Sequence, residues 1–201
     1  AVQMIEVVDN TDPIITTPAQ TEFVQCNANT LDKENDLNAW LADNVGADAT
    51  DNCGTISWSH NFTALSDLCG ETGAAIVIFT ASDVCGNSTT TAASFVVQDN
   101  TAPVLQNLPA SINDITCSED FPQFNVTAFD ACGVATVTTD TIYDASQLCD
   151  PQGYRVIYRW TPVDDCSNVG ATVERNFFVL TDDSPPEIVN EDDCFRLISP
   201  I

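Results

Sequence analysis

Two kinds of reactive side chain occur in numbers here: nine cysteines, and 30 Asp or Glu set against 5 Lys or Arg and a single His. The cysteines stand at 26, 53, 69, 85, 117, 132, 149, 166 and 194, and the closest two are 15 residues apart. No C-x-x-C exists, so zinc ribbons, zinc fingers and thioredoxin-type redox motifs, which need two thiolates in one tight turn, are excluded. At this density in 201 residues, cysteines fit a compartment where disulfides persist. The acidic residues give a formal net charge of -25 at pH 7. A polyanionic partner would meet a surface of its own sign, so nucleic acid is excluded. Close carboxylates repel one another, and the ligand that relieves such repulsion best is a hard cation with oxygen coordination, Ca²⁺ above all.

What must position these groups is a tandem repeat. DNTDP at 9–13, DNTAP at 99–103 and DDSPP at 182–186 recur with their prolines 90 and 83 residues apart. Between these marks Cys26, Cys53, Cys69 and Cys85 are followed in the same order by Cys117, Cys132, Cys149 and Cys166. DNCG at 51–54 matches DACG at 130–133, and DVCGN at 83–87 matches DDCSN at 164–168. The expected organisation is a last strand of a preceding repeat over 1–8, one repeat over 9–98, a second over 99–181, and the start of a following unit over 182–201. The opening AVQMIEVVDN lacks the basic start and apolar core of a signal peptide, so a mature or excised segment is expected. No apolar run approaches a membrane span.

Within each repeat the pattern is β. AAIVIFTAS at 74–82 and STTTAASFVVQD at 88–99 flank a Cys-Gly-Asn turn and read as a hairpin, and YRVIYRWTPV with VGATVERNFFVLTD repeats it. Several short strands in each 80 to 90 residues predict an all-β fold of tandem immunoglobulin-like β-sandwich repeats with two disulfides each. The first repeat carries about a dozen extra residues in LDKENDLNAWLADN, where Leu31, Leu37, Trp40 and Leu41 recur at mostly helical intervals behind caps at Asn29 or Thr30. A short inserted helix is expected there.

Four cysteines per repeat allow three connectivities. In a sandwich whose first strand runs from a top end near the linker to the bottom, Cys26 and Cys69 fall at the bottom, as do Cys117 and Cys149. The D-x-C loops fall at the top. Pairing within each repeat then joins Cys26 to Cys69, Cys53 to Cys85, Cys117 to Cys149 and Cys132 to Cys166, while Cys194 looks for a partner beyond Ile201 or in another chain. The same topology gathers Asp9, Asp12, Asp51 and Asp83 at one top, and Asp99, Asp130 and Asp164 at the next, with Asn87 and Asn168 as neutral oxygens. Two readings stay open: a Ca²⁺ site at each junction, or Asp and Asn supplying turn chemistry alone.

Catalysis has little support, and no enzyme is expected. His60 lies in the alternating string SWSHNF and has no counterpart in the second repeat, so no Ser-His-Asp or Cys-His device recurs. Trp40, Trp58 and Trp160 would stack on sugars if they shared an exposed face, but Trp58 and Trp160 lie in strands and read as core. NFT at 61, NST at 87 and NVT at 125 are sequons for an N-glycosylating pathway. Asp140-Thr141-Ile142 is similar to a D-[ST]-hydrophobic O-glycosylation string.

A proline-opened strand, D-x-C-G, then FTASDVCGN and VVQDNTAP, resemble the hyalin repeat and its cysteine-richer relatives in large Bacteroidota surface proteins, including gliding-motility adhesins exported by the type IX system. The resemblance covers 9–186. It departs at Ser167, where the family has Gly, at Pro162, and at DDSPP. It implies an extracellular, cell-surface, immunoglobulin-like fold that serves in adhesion or as the stalk or filament spacing an adhesive tip from the cell. The partners expected are neighbouring repeats of the same chain, other copies in a fibre, and surface glycans or proteins. The competing expectations are a glycan- or protein-binding module and an accessory module of a secreted hydrolase.

Overall fold

The computed structural model describes residues 3–5, 7–27, 30–110, 112–116, 121–144 and 153–180, with the side chains of 30–32 outside that description. The chain is all-β with one α-helix among the described residues. Its strands are β1 (Ile14–Thr17), β2 (Glu22–Gln25), β3 (Asp48–Thr50), β4 (Ser57–His60), β5 (Gly73–Ser82), β6 (Ser88–Gln98), β7 (Val104–Gln106), β8 (Ile115–Thr116), β9 (Thr127–Phe129), β10 (Ala135–Tyr143), β11 (Tyr154–Asp164) and β12 (Val173–Leu180).

The repeat seen in the sequence reappears as strand order. One four-stranded sheet runs β2-β6-β5-β4 and another β8-β12-β11-β10, while β1 pairs with β3 and β7 with β9. In both larger sheets a short strand runs parallel to the last strand of its repeat, with Glu22 opposite Phe95 and Ile115 opposite Val179. The last two strands form an antiparallel hairpin, Ser82 opposite Ser88 and Trp160 opposite Val173. A first strand that pairs early with one sheet and then crosses to lie parallel to the last strand of the other is an immunoglobulin-like arrangement.

Contacts divide the chain into two compact units, one of Ala1–Leu105, Ala128–Thr136 and Pro162–Ala171, the other of Gln106–Thr127, Val137–Thr161 and Thr172–Ile201. In the first, alternation along β5 and β6 turns Val77, Phe79, Ala81, Ala93, Phe95 and Val97 inward, as the period-2 pattern requires. The predicted helix is α1 (Thr30–Ala42). It drops Trp40 between Phe79 and Phe95, each ring 5.4 Å away and edge-on, and the indole Nε1 donates to the Gln20 carbonyl at 3.2 Å. Leu37 and Leu41 pack beside it. The expected caps at Asn29 and Thr30 fall on residues whose side chains lie outside the description.

The second unit has an aromatic core. Tyr158 stacks on Trp160 and on Phe177, Phe124 meets Tyr158 and Trp160 edge-on, and the Tyr158 hydroxyl donates to the Pro122 carbonyl at 3.0 Å. Burial pushes the Tyr158 phenol up, and Tyr143 adds to it.

The two hairpin turns show how closely the repeats agree. Gly86 has φ +96°, and Ser167, which replaces it in the second repeat, is held at φ +72°. A side chain there pays a left-handed penalty that glycine avoids. Ser167→Gly should therefore raise stability by about 0.5–1 kcal/mol, seen as a higher denaturation midpoint with unchanged slope.

Candidate functional site

Three of the four D-x-C loops are capped by their own aspartate. Asp51 accepts the Cys53 N–H at 2.7 Å, Asp83 accepts the Cys85 N–H at 2.8 Å, and Asp130 accepts the Cys132 N–H at 2.7 Å. These Asx turns fix the loop, leaving Cys53 and Cys85 exposed and Cys132 buried. Asp83 also accepts from the N–H groups of Gly86 and Asn87 at 2.7 and 2.9 Å, and Asp164 accepts from Asn168 N–H at 2.8 Å. In both turns the asparagine amide donates to the aspartate and to the linker carbonyl. Asn87 Nδ2 lies 2.7 Å from Asp83 and 3.2 Å from the Asp9 carbonyl, and Asn168 Nδ2 lies 2.9 Å from Asp164 and 3.2 Å from the Asp99 carbonyl. This ties the DNTDP and DNTAP linkers to the tops of their repeats.

Two carboxylate clusters result. The ligand atoms of Asp9, Asp51 and Asp83 lie within 4.8 Å of one another, and so do those of Asp99, Asp130 and Cys132. Two oxygens on one Ca²⁺, each at its usual bond length, lie at most about 4.6–5.2 Å apart, so the spacing does not exclude a shared ion. Asp130 is 8% exposed. In each cluster an aspartate uses Oδ1 to cap its own loop while Oδ2 is buried without a hydrogen-bond partner, namely Asp9, Asp99 and Asp130. Two carboxylates about 4 Å apart repel by about 4 kcal/mol at an effective dielectric of 20. Such a cost is a large fraction of a domain's stability.

The structure corrects part of the expected ligand set. Asp12 is exposed and outside the cluster. Asn87 and Asn168 act through their amide N–H groups, as donors that position carboxylates. Asp164 has both oxygens engaged by Asn168 and is not grouped with Asp99 and Asp130. The Cys132 sulfur is in a disulfide and offers no thiolate. Gln25 was not foreseen: its Nε2 donates to Asp99 Oδ1 at 3.2 Å and its Oε1 accepts from Asn100 N–H at 3.3 Å. Its position directly before Cys26 was the one available signal.

The disulfide partners are also corrected. Cys26 bonds to Cys132 and Cys69 to Cys166, with Cα atoms 5.6 and 5.1 Å apart, while Cys53 and Cys85 are free and exposed. Cys26–Cys69, Cys53–Cys85 and Cys132–Cys166 are therefore not the pairs. The Cys117–Cys149 pair and Cys194 fall outside the described residues. The physical reason is that the bottom of the first repeat lies against the top loops of the second within one compact unit, so each bottom cysteine finds a sulfur across the junction. There the Glu71 N–H donates to the Cys132 carbonyl at 2.6 Å, and the Asp165 N–H to that of Val134 at 3.1 Å. Gly70 (φ +54°) lets the Cys69 turn lie flat on this loop, because a Cβ would collide with the Cys132 carbonyl oxygen.

Two titrations follow from the same contacts. The Asp9 carboxylate beside Cys53 pushes its thiol up, with desolvation, Asp51 and Cys85 acting in the same direction. Burial works against ionisation of Asp83, but hydrogen bonds from the Asn87 side chain and from the N–H groups of Asn87, Cys85 and Gly86 outweigh it and hold the carboxyl below its usual range.

Other candidates resolve simply. His60 sits exposed on β4, its ring 6.0 Å from Phe79 and its Nδ1 accepting the Phe62 N–H at 3.4 Å. Trp40 and Trp160 are buried, and Trp58 is half-buried against the core, so the three form no open sugar-stacking face. The Asn87 amide, the acceptor of the second sequon, is already committed to Asp83 and Asp9.

No protein-family model and no curated protein matches the sequence. Among solved structures the chain is similar to the fibronectin(III)-like modules of Clostridium thermocellum CbhA, at 14% identity over 84% of this chain and 94% of that one, with a TM-score of 0.33. It is likewise similar to protocadherin gamma C5 EC1-3, at 14% identity over 86% of this chain and 68% of that one, TM-score 0.31. A third is the human desmocollin-1 ectodomain, at 8% identity over 87% and 42%, TM-score 0.30.

Two outcomes are expected. Non-reducing peptide mapping should link Cys26 to Cys132 and Cys69 to Cys166, and replacing Cys26 and Cys132 together by Ser should cost about 2–5 kcal/mol, since each bridge closes a loop of about 100 residues. A Cys26–Cys69 peptide would overturn the map. For Asp83, whose folded pKa is lowered, the stability it contributes is present above the unfolded carboxylate pKa of about 3.9 and is lost as pH falls through the folded value. Asp83→Asn should accordingly flatten the loss of urea midpoint on acidification below about pH 4.

Proposed function

We propose that this chain is a structural and adhesive segment, a stalk or filament portion of a long extracellular surface adhesin of hyalin-repeat type, stapled by disulfides and stiffened by Ca²⁺ at its junctions. The supporting observation is that each linker aspartate, Asp9 or Asp99, joins loop aspartates of its repeat in a cluster with buried carboxylate oxygens. Asp9, Asp51 and Asp83 would hold one ion, and Asp99 and Asp130 the other, with backbone carbonyls and water completing a coordination of 6 to 8 oxygens. Bridging linker to loop, each ion would hold its linker against the top of its repeat and add to the stiffness that the Cys26–Cys132 and Cys69–Cys166 bridges give the junction at Asp99. The repeat units are taken as 9–98 and 99–181. No role in this reading requires catalysis.

Ligand linkage sets the test. Saturating the sites to 100 times Kd should add about 2.7 kcal/mol for each independent ion, read as a higher Tm in Ca²⁺ than in Na⁺ of matched ionic strength. Asp99→Asn and Asp130→Asn keep an oxygen for the turn but remove a charge, so each should fold in the absence of calcium and lose part of the calcium-induced rise. A Tm and small-angle scattering dimensions that are both indifferent to Ca²⁺ would overturn the metal sites and leave the junction between the repeats to the Cys26–Cys132 and Cys69–Cys166 bridges and turn packing.

A further inference from the structure

The tops of the two repeats share several contacts, yet their cysteines differ in state. Asp51 and Asp130 cap Cys53 and Cys132 at the same 2.7 Å. Asn87 and Asn168 reach the carbonyls of Asp9 and Asp99 at the same 3.2 Å. Gly86 and Ser167 share a left-handed turn. On the second repeat, Cys132 and Cys166 are bonded to Cys26 and Cys69, and Cys132 is 1% exposed. On the first, Cys53 and Cys85 stand in the same places, free and exposed, beside a Val84 that is 70% exposed.

We infer that Cys53 and Cys85 form a two-point covalent docking site for the repeat that precedes residue 9 in the full polypeptide, through cysteines placed there as Cys26 and Cys69 are placed here. Cys53 takes the counterpart of Cys26, and Cys85 the counterpart of Cys69. The linker supports a partner in the same chain: DNTDP is tied to this top as DNTAP is to the next, so a repeat ahead of residue 9 would be delivered by a tether of the same kind. A tethered partner acts at the high effective concentration that a separate molecule lacks. The Cys69-Gly70 turn shows what the incoming face must carry, a cysteine followed by a residue without a side chain at the point of closest approach.

The chemistry balances with a thiol–disulfide oxidoreductase as oxidant. The Cys53 thiolate attacks the carrier's disulfide, forming a mixed disulfide and releasing one carrier thiolate. The partner's thiolate then displaces the second carrier sulfur. One protein S–S bond forms, two protons leave the protein thiols, and the carrier ends as a dithiol. Cys85 closes in the same way.

The test is peptide mapping of the full-length native protein, alkylated before reduction. Cys53 and Cys85 should each be protected and linked to a cysteine upstream of residue 9. Cys53→Ser should then expose a single new alkylatable thiol, located in the preceding repeat at the position corresponding to Cys26. The inference is overturned if Cys53 is linked to Cys85, if both are alkylated in native material, or if either joins a second chain as a reductant-sensitive dimer. None of these readouts depends on calcium, so failure here and failure of the metal sites are separable.

Discussion

The ends of both repeats depend on one hydrogen-bonding device, an aspartate whose carboxylate accepts the N–H of the cysteine two residues later. Asp51, Asp83 and Asp130 all do this. A charged acceptor makes a stronger bond than a neutral one, and it fixes the loop where the strand ends: β3 at Thr50, β5 at Ser82 and β9 at Phe129. Two consequences follow from the same residue. The cysteine is fixed at the end of its loop, and in Asp130 the second carboxylate oxygen is left without a donor.

That device explains why cross-linking and electrostatics coincide in space. Cys132 meets Cys26 at the point where Asp130 meets Asp99. Gln25, adjacent to Cys26, donates to the same Asp99. A covalent bridge therefore holds together groups of like charge that would otherwise separate. The bridges span 106 and 97 residues, long loops whose closure removes much denatured-state entropy. A small β-sandwich gains from this more than a large domain would, since its own core is limited.

The inserted helix serves the interior. Trp40 covers the open side of β5 and β6 between Phe79 and Phe95, where the second repeat, lacking the insertion, uses Phe124 against Tyr158 and Trp160. Two repeats with the same strand order thus reach a closed core by different side chains. The unit-specific insertion is a packing element.

Much of this molecule was legible without coordinates. The period-2 strings at 74–82 and 88–99 became β5 and β6 because alternation and turn residues are local properties. The spacing of Leu37, Trp40 and Leu41 marked α1 for the same reason. The grouping of Asp9 with Asp51 and Asp83 followed from topology, since loops at one end of a sandwich must converge. Bond partners could not be read this way. A cysteine's position along the chain says which end of a repeat it occupies, and Cys26 and Cys69 share an end, but it does not say whether the nearest sulfur lies beside it or across the junction. Only the packing of 128–136 and 162–171 against the first repeat decided that, because a disulfide needs Cα atoms within roughly 4.4–6.8 Å. Such a distance is set by how surfaces meet, and no local propensity encodes it.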